Sequence, residues 1–153
     1  MVAPRMDGSA HALLGSGFLL RLAVGTGLGF AIGLERELRQ RSAGLQTTGL
    51  VTVAATLFAT IAPSFGMTND LRIVANIVTG VGFLAGGVIF KDGANVRGLN
   101  TAATIWAAAA VGTLAGIGLL AEATAAAGVI VLLNSGVGFL VDYIDRHFRK
   151  GNL

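Results

Sequence analysis

Two carboxylates are the residues of this 153-residue chain best suited to chemistry, because each one follows an apolar stretch. Glu35 ends the first such stretch, and Asp92 lies just after the third. Hard oxygen ligands of this kind suit Mg²⁺, which usually keeps several waters and takes one or two protein carboxylates. Glu35 and Asp92 are therefore candidate magnesium ligands. Other polar residues would lie on the same face of the molecule: Arg36, Glu37, Thr47, Thr48, Arg97, Asn100, Thr101 and Thr104.

The same polar residues also admit a purely structural interpretation, as salt bridges between helices and as helix caps. Asn100 is a natural N-cap for a helix that begins beside it, because its side-chain oxygen can accept a backbone N–H. Carboxylate pairs at membrane surfaces commonly occur without a metal. We favour the structural interpretation and keep the magnesium site as its alternative.

Arg21 is a further candidate, because it is a charge inside the first apolar stretch. A charged side chain at the centre of a membrane helix costs about 2.5–3.5 kcal/mol on insertion scales, so it should face other helices or a water-filled cavity. In the other interpretation the helix begins later and Arg21 extends to the outer headgroups. If Arg21 is buried, a carboxylate or amide should pair with it, the candidates being Asp70, Asn76, Glu122 and Asn134.

The sequence gives little support to an enzyme. It contains no cysteine, and His11 and His147 fall on opposite predicted sides, so neither zinc ligation nor a catalytic triad can use both. The run G-x-G-x-x-A at Gly80, Gly82 and Ala85 resembles a dinucleotide-binding fingerprint but lacks its strand–helix setting and acidic partner. We predict no enzymatic activity and no cofactor, apart from a possible Mg²⁺.

The composition indicates the class of protein that must position these residues. The chain is 54% hydrophobic and 12% charged, against about 25% charged residues in soluble domains. Its mean hydropathy is +0.75. A soluble core of this length could not hide so much apolar surface. The positive charges lie in short clusters between apolar runs, so membrane topology explains the net charge of +3 better than nucleic-acid binding does.

Five apolar segments of roughly membrane-spanning length predict an all-α membrane bundle that occupies the whole chain as one domain, residues 1–153. Helices are expected because no segment shows the period-two alternation of a barrel strand. A short polar hinge, Lys91 to Asn95, should join the third and fourth segments. The predicted segments are Ala12 to Leu34, Leu45 to Ala62, Ile73 to Phe90, Thr101 to Leu120 and Ala123 to Val141.

Lysine and arginine placement predicts the orientation of this bundle. Only Arg5 and Arg72 fall on one predicted side, so the positive-inside rule places the N-terminus outside and the C-terminus in the cytoplasm. An odd number of spans requires the same arrangement. The eight residues on the cytoplasmic side are Arg36, Arg39, Arg41, Lys91, Arg97, Arg146, Arg149 and Lys150.

Glycines recur at four-residue spacing in three of the predicted helices. Small residues at this spacing let helix backbones approach closely in lipid. We favour packing within one chain, and a seam between two copies of the chain is the alternative, because the motif alone fits both. The predicted packing glycines are Gly25, Gly29 and Gly33 in the first segment, Gly82 and Gly86 in the third, and Gly112 and Gly116 in the fourth.

Four motifs, taken in order, resemble the MgtC/SapB family of bacterial membrane proteins. They are Gly33-Leu34-Glu35-Arg36-Glu37, then Ala43-Gly44-Leu45-Gln46-Thr47, then GVGFLAGGVIF from Gly80, and then VRGLNTAATIW from Val96 with AVG from Ala110. The resemblance covers roughly Leu20 to Leu120. It implies a multi-helix domain of the bacterial inner membrane that is associated with magnesium limitation and, in some members, with virulence.

The chain departs from the family pattern at several positions. Gln46 stands where an arginine is usual, and Thr48 where a histidine is frequent. Ala85-Gly86 replaces Gly-Ala, and Asn100 replaces a threonine. Many family members also continue into a cytoplasmic domain after the fifth helix. The sequence ends at Leu153, so functions that need such a domain are not expected here.

Two classes of function follow from these observations. The first is a non-enzymatic regulator that binds other membrane proteins, which the resemblance supports because family members are linked to control of ATP synthase and membrane potential. The second is a small transporter or channel for Mg²⁺ or another ion, which Arg21, Glu35, Asp92 and Thr101 support. No segment carries the run of inward acidic residues or the paired broken helices of a midplane ion site. The regulator is the favoured function, with membrane lipid, other membrane proteins and a possible homodimer as partners, and no nucleic acid.

Overall fold

The computed structural model describes residues 16–61 and 70–148, and side chains over 17–61 and 71–136. Its described part contains five helices and one short hairpin of two strands. The all-α prediction is therefore right for the helices and missed the hairpin. The elements are α1 (Ser16–Leu38), α2 (Leu45–Ile61), α3 (Asp70–Gly86), β1 (Phe90–Asp92), β2 (Asn95–Arg97), α4 (Leu99–Ile117) and α5 (Leu120–Phe148).

The hairpin replaces the polar hinge that the sequence predicts between α3 and α4. Its strands pair antiparallel, with Phe90 opposite Arg97 and Asp92 opposite Asn95. Gly93, at φ 61°, begins the two-residue connection, and glycine suits such tight hairpin turns because it adopts positive φ without strain. Each strand has only three residues, which is too short for a period-two pattern to be visible in the sequence.

The distribution of side-chain sizes differs from that in a soluble domain, because small residues are buried and many large apolar ones are exposed. Alanine predominates among the buried hydrophobic residues, and threonine among the buried polar ones. Large apolar side chains face outward: Phe83 is 85% exposed, Leu71 78% and Leu38 76%. Such extensive exposed apolar surface is avoided in soluble monomers and is typical of helices that contact lipid.

Two helices are long and apolar enough to span a membrane, Gly17–Leu38 and Leu99–Ile117. Three further helices are apolar but shorter over the described residues, Leu45–Ile61, Leu71–Gly86 and Leu120–Gly136. A membrane bundle agrees with these lengths. The count of five spans, and the orientation of the bundle, stay predictions.

Helix α2 lies at the centre of the bundle and packs against both α1 and α4. Its contact face carries four threonines at four-residue spacing, here named the threonine ladder: Thr48, Thr52, Thr56 and Thr60. Each hydroxyl lies within hydrogen-bond distance of the carbonyl four residues earlier, as Thr52 does of the Thr48 carbonyl at 2.8 Å. Each also reaches a carbonyl of a neighbouring helix. For Thr52, Thr56 and Thr60 these carbonyls are those of Ala108, Gly112 and Gly116, at 3.3, 3.0 and 3.1 Å.

The glycines of α1 lie against the other side of the threonine ladder. A Cβ placed on Gly29 would be 2.7 Å from Thr52 Cβ, and one on Gly33 would be 2.6 Å from the Cα of Leu45. Gly25 faces Thr56 in the same way. The close helix approach expected at these three positions is therefore present. Threonine side chains of α2 occupy the space that a side chain on each glycine would need.

On α4, Gly112 and Gly116 also pack against α2. A Cβ on Gly112 would be 2.9 Å from the Cβ of Ala55, and one on Gly116 would be 2.6 Å from the Cβ of Ala59. These contacts lie within one chain, and the seam between two copies stays an untested alternative.

Gly82 and Gly86 of α3 require a correction. Both residues are exposed, and a Cβ on either would meet no described atom within 4 Å. The buried face of α3 instead presents Ile77 and Ala85. The four-residue spacing places Gly82 and Gly86 on one face of α3, and that face points away from α2 and α4.

Candidate functional site: a buried arginine and the polar cluster around it

The candidate site begins with Arg36, whose side chain is only 3% exposed although it lies in the last turn of an apolar helix. Its Nε and Nη2 donate to the Ser42 carbonyl at 2.9 and 2.5 Å, and Nε also reaches the Ala43 carbonyl at 3.2 Å. These carbonyls belong to the loop that joins α1 to α2. Arg36 therefore fixes the path of this loop.

The same guanidinium reaches across to the start of α4. Its Nη2 donates to Thr101 Oγ1 at 2.9 Å and its Nη1 to Thr104 Oγ1 at 3.1 Å. A buried charge is tolerated only when its donors are satisfied, and each of the three guanidinium nitrogens has an acceptor here. Arg36 thus joins the end of α1, the following loop and the beginning of α4 at one end of the bundle.

Two residues of α5 extend this cluster. Thr104 Oγ1 lies 2.9 Å from the Asn100 carbonyl and 3.3 Å from Asn134 Oδ1. The other side-chain atom of that amide, Asn134 Nδ2, is buried without a hydrogen-bond partner among the described residues. Ser135 Oγ donates to Glu35 Oε1 at 3.2 Å. Through these contacts α5 joins the same end of the bundle as α1 and α4.

Glu35 also forms an ion pair with Arg39 one turn later, with 2.7 Å between Oε1 and Nε. Asp92, the other predicted magnesium ligand, lies exposed in β1, opposite Asn95. Over the described ranges Glu35 and Asp92 share no hydrogen-bond or ion-pair partner, and no group of three or more His, Cys, Asp or Glu side chains could hold a metal ion. The magnesium site stays a prediction.

Glu37 has a role that the sequence did not predict. Its Oε2 accepts the backbone N–H of Leu45, the first residue of α2, at 3.3 Å. A carboxylate at the N-terminus of a helix satisfies a free backbone donor and opposes the helix dipole. The neighbouring Thr47 is exposed, so Thr48, which is fully buried, is the threonine that contacts α1.

The residues around the hairpin divide into exposed and buried groups. Arg97 and Asn100 are exposed, whereas Thr101 is buried beneath Arg36. The expectation that Asn100 caps α4 is wrong, because Gly98 occupies the cap position at φ 89° with no side-chain hydrogen bond. Gly98 also packs against the segment that joins α3 to β1, since a Cβ there would collide with the Val88 carbonyl.

Arg21 lies at the opposite end of α4. Its Nη1 donates to the carbonyl of Gly116 at 3.0 Å, and its guanidinium packs against Gly118, which closes α4 at φ 96°. The partner is thus a backbone carbonyl at the negative end of a helix dipole, and not the expected carboxylate or amide. Thr60 Oγ1 lies 3.1 Å from the same carbonyl.

Several signals of this site were not used in the sequence-based prediction. The threonine ladder has the same four-residue spacing as the packing glycines, and this spacing is visible in the sequence. Ser135 and Asn134 are adjacent polar residues inside an apolar helix, which is a signal of a buried contact in a membrane bundle. Of the candidates that the sequence singled out, His11 lies outside the described residues, as do the side chains of Asp70 and His147.

The fold and its polar contacts define the class of protein. It is a helical bundle with a core of small residues, threonine hydroxyls between its helices and an apolar exterior. The MgtC family model matches residues 22–143, and the chain belongs to the MgtC family. The resemblance found in the sequence motifs is thereby confirmed.

Curated relatives agree with this assignment. An uncharacterized protein of Synechocystis is 48% identical over 131 residues, which are 83% of this chain and 55% of the relative. Protein MgtC of Brucella abortus is 47% identical over 126 residues, covering 81% of this chain and 53% of the relative. Protein MgtC of Salmonella typhimurium is 45% identical over 117 residues, covering 76% and 51%. The chain spans about half the length of these relatives. No solved structure matches it.

Proposed function

We propose that this chain acts in bacterial adaptation to low Mg²⁺ as a non-enzymatic protein of the inner membrane, which regulates other membrane proteins by binding them. Its membership of the MgtC family, with relatives named MgtC in Brucella and Salmonella, supports the link to magnesium. The five-span arrangement with a cytoplasmic C-terminus is part of this proposal.

The observation that carries the proposal is an open apolar groove of about 710 Å³ between α2 and α3. Its lining residues recur at three- and four-residue spacing on both helices, which is the pattern against which a further apolar helix packs. Asn76 supplies an amide in this apolar lining and could hydrogen-bond to a polar group of such a helix. The lining comprises Leu50, Val51, Ala54, Ala55, Phe58 and Ile61 of α2, and Ile73, Asn76, Ile77, Gly80, Val81 and Leu84 of α3.

A partner that supplies one membrane helix fits this groove. The family resemblance suggests that the partner is a membrane subunit of ATP synthase. A second copy of the chain is the other partner to be tested for binding in the groove. The hydrogen bonds of the threonine ladder and Arg36 join helix to helix inside the bundle, so these polar groups are already engaged and are not offered to a transported ion. Transport of Mg²⁺ is the competing function.

A pair of glycine substitutions tests the groove. Gly80 lines it and Gly82 does not, while a Cβ on either residue would meet no described atom within 4 Å. We expect Gly80→Phe to fill the groove and abolish growth in low Mg²⁺ of a bacterial strain that depends on this chain. Gly82→Phe should support growth, and both variants should reach normal abundance in the membrane.

The competing function is tested with purified protein in liposomes that contain a magnesium-sensitive dye. The proposal expects no Mg²⁺ entry above that of empty liposomes. Entry that depends on the protein would refute the binding role in favour of transport. Normal growth with Gly80→Phe would refute the groove as the binding surface.

A further inference from the structure

A second pocket lies on the other side of the bundle, where the end of α1 meets α5. Its volume is about 570 Å³, and its lining combines charged, hydroxyl and apolar groups: Ala31, Leu34, Glu35, Leu38, Arg39 and Ser135. It is separate from the groove between α2 and α3, so the inference drawn from it does not depend on the proposed function.

The charges of this pocket form a dipole at the surface. Glu35 Oε1 accepts from Arg39 Nε at 2.7 Å and from Ser135 Oγ at 3.2 Å. The side chain of Glu35 is 11% exposed and that of Arg39 is 44% exposed. Among the described contacts, neither Glu35 Oε2 nor the two terminal nitrogens of Arg39 takes part in a hydrogen bond. The pair therefore still offers one acceptor and several donors to a ligand.

The apolar wall of the pocket lies next to this dipole. Leu34 is 50% exposed and Leu38 is 76% exposed, on the last turn of a helix long enough to span a membrane. The pocket changes from exposed leucines to a carboxylate–guanidinium pair. The membrane interface changes in the same way, from apolar acyl chains to charged headgroups. The ligand should therefore be amphipathic, with both charges in its polar part.

We propose that this pocket binds a zwitterionic aminophospholipid, whose headgroup carries a phosphate and a primary ammonium. The phosphate accepts hydrogen bonds from the terminal nitrogens of Arg39, whose planar fork suits a phosphate. The ammonium donates to Glu35 Oε2, and an acyl chain lies on Leu34 and Leu38.

This charge complementarity discriminates between lipid classes. A choline headgroup has no N–H to donate, and a glycerol headgroup has no cation to pair with the Glu35 carboxylate. Losing one charge-assisted hydrogen bond corresponds to about a tenfold change in affinity or more.

The test uses the full chain in nanodiscs of phosphatidylethanolamine, its mono- and dimethyl derivatives, phosphatidylcholine or phosphatidylglycerol. Lipid retained after transfer to detergent is counted by native mass spectrometry. We expect retention to persist for the mono- and dimethyl derivatives, which keep an N–H, and to be about tenfold lower for phosphatidylcholine and phosphatidylglycerol. This series needs no variant, so it remains decisive even if a substitution prevents folding.

Variants then assign the preference to the pocket. Glu35→Gln should remove the discrimination between ethanolamine and choline headgroups, and Arg39→Gln should weaken retention of both lipids. Arg41→Gln is the matched control, because Arg41 is an exposed arginine outside the pocket lining. Soluble glycerophosphoethanolamine should not compete, since it lacks the acyl chains. Equal retention of all lipids, a preference for phosphatidylglycerol, or unchanged discrimination in Glu35→Gln would overturn the proposal.

Discussion

At the scale of single residues, the two arginines of α1 that contact α4 hold opposite ends of that helix. Arg36 donates to Thr101 and Thr104 near its first turn, and Arg21 donates to the carbonyl of Gly116 near its last. Both interactions are hydrogen bonds to uncharged acceptors, whereas the sequence predicted a carboxylate or amide for Arg21 and salt bridges or helix caps for the residues around Arg36. Their surroundings differ, because Arg36 is buried and Arg21 is only part-buried.

This difference predicts unequal effects of lysine at the two positions. Arg36→Lys should lower the free energy of unfolding by about 3 kcal/mol or more, because one ammonium cannot reach the loop carbonyls and both threonines, and a buried charge is left partly unsatisfied. Arg21→Lys should cost about 1 kcal/mol, since an ammonium can still donate to a single carbonyl. Thermal unfolding in detergent, with exposed Thr47→Ser as control, measures both. Equal losses for the two lysine variants would contradict this account.

The residue types of this site could be chosen from the sequence, but their partners could not. Arg36, Thr101 and Thr104 were candidates because they are polar residues at the ends of apolar segments. Whether a guanidinium meets a carboxylate, a hydroxyl or a carbonyl depends on how the helices pack. Ser42 and Ala43 offer only their backbone carbonyls to Arg36, and no sequence motif marks a carbonyl as an acceptor.

At the scale of elements, the same four-residue spacing of glycine has two different consequences. In α1 and α4 the glycines face α2, whose threonines and alanines occupy the space that a side chain would need. In α3 they face outward. Spacing places residues on one face of a helix, but it does not say which face is packed. The hydrophobic pattern of α3 does not show which of its faces is packed, because lipid-facing and core-facing residues are both apolar in a membrane bundle.

Substituting alanine for glycine at two positions should therefore change stability in opposite directions. Gly112→Ala places a methyl group 2.9 Å from the Cβ of Ala55, so α2 and α4 must separate, and we expect a loss of about 1–3 kcal/mol. Gly82→Ala meets no described atom and restricts the unfolded backbone, so a gain of about 0.5–1 kcal/mol is expected. Unfolding of the two variants is compared in the same detergent. A destabilised Gly82→Ala would mean that a partner covers this face of α3.

At the scale of the whole molecule, the contacts place the loops of the bundle at two ends. Arg36 brings the α1–α2 loop next to the beginning of α4, which follows directly on the hairpin. Arg21 brings the first turns of α1 next to the α4–α5 turn at Gly118. The sequence predicted this grouping from charge, because Arg39, Arg41, Lys91 and Arg97 all fall at the end that Arg36 marks. Charge also predicts that this end faces the cytoplasm.

The absence of cysteine from the sequence allows a direct test of that orientation, since each introduced thiol reports alone. Ser42→Cys in the α1–α2 loop and Asn95→Cys in the hairpin should resist an impermeant thiol reagent in intact cells and react after the membrane is opened. Leu119→Cys should react in intact cells, because Leu119 is 43% exposed in the turn at the opposite end. Reaction of Asn95→Cys from outside would invert the orientation. Reaction of Ser42→Cys and Asn95→Cys from opposite sides would contradict the grouping that Arg36 imposes, and with it the bundle in which α1 and α4 run antiparallel.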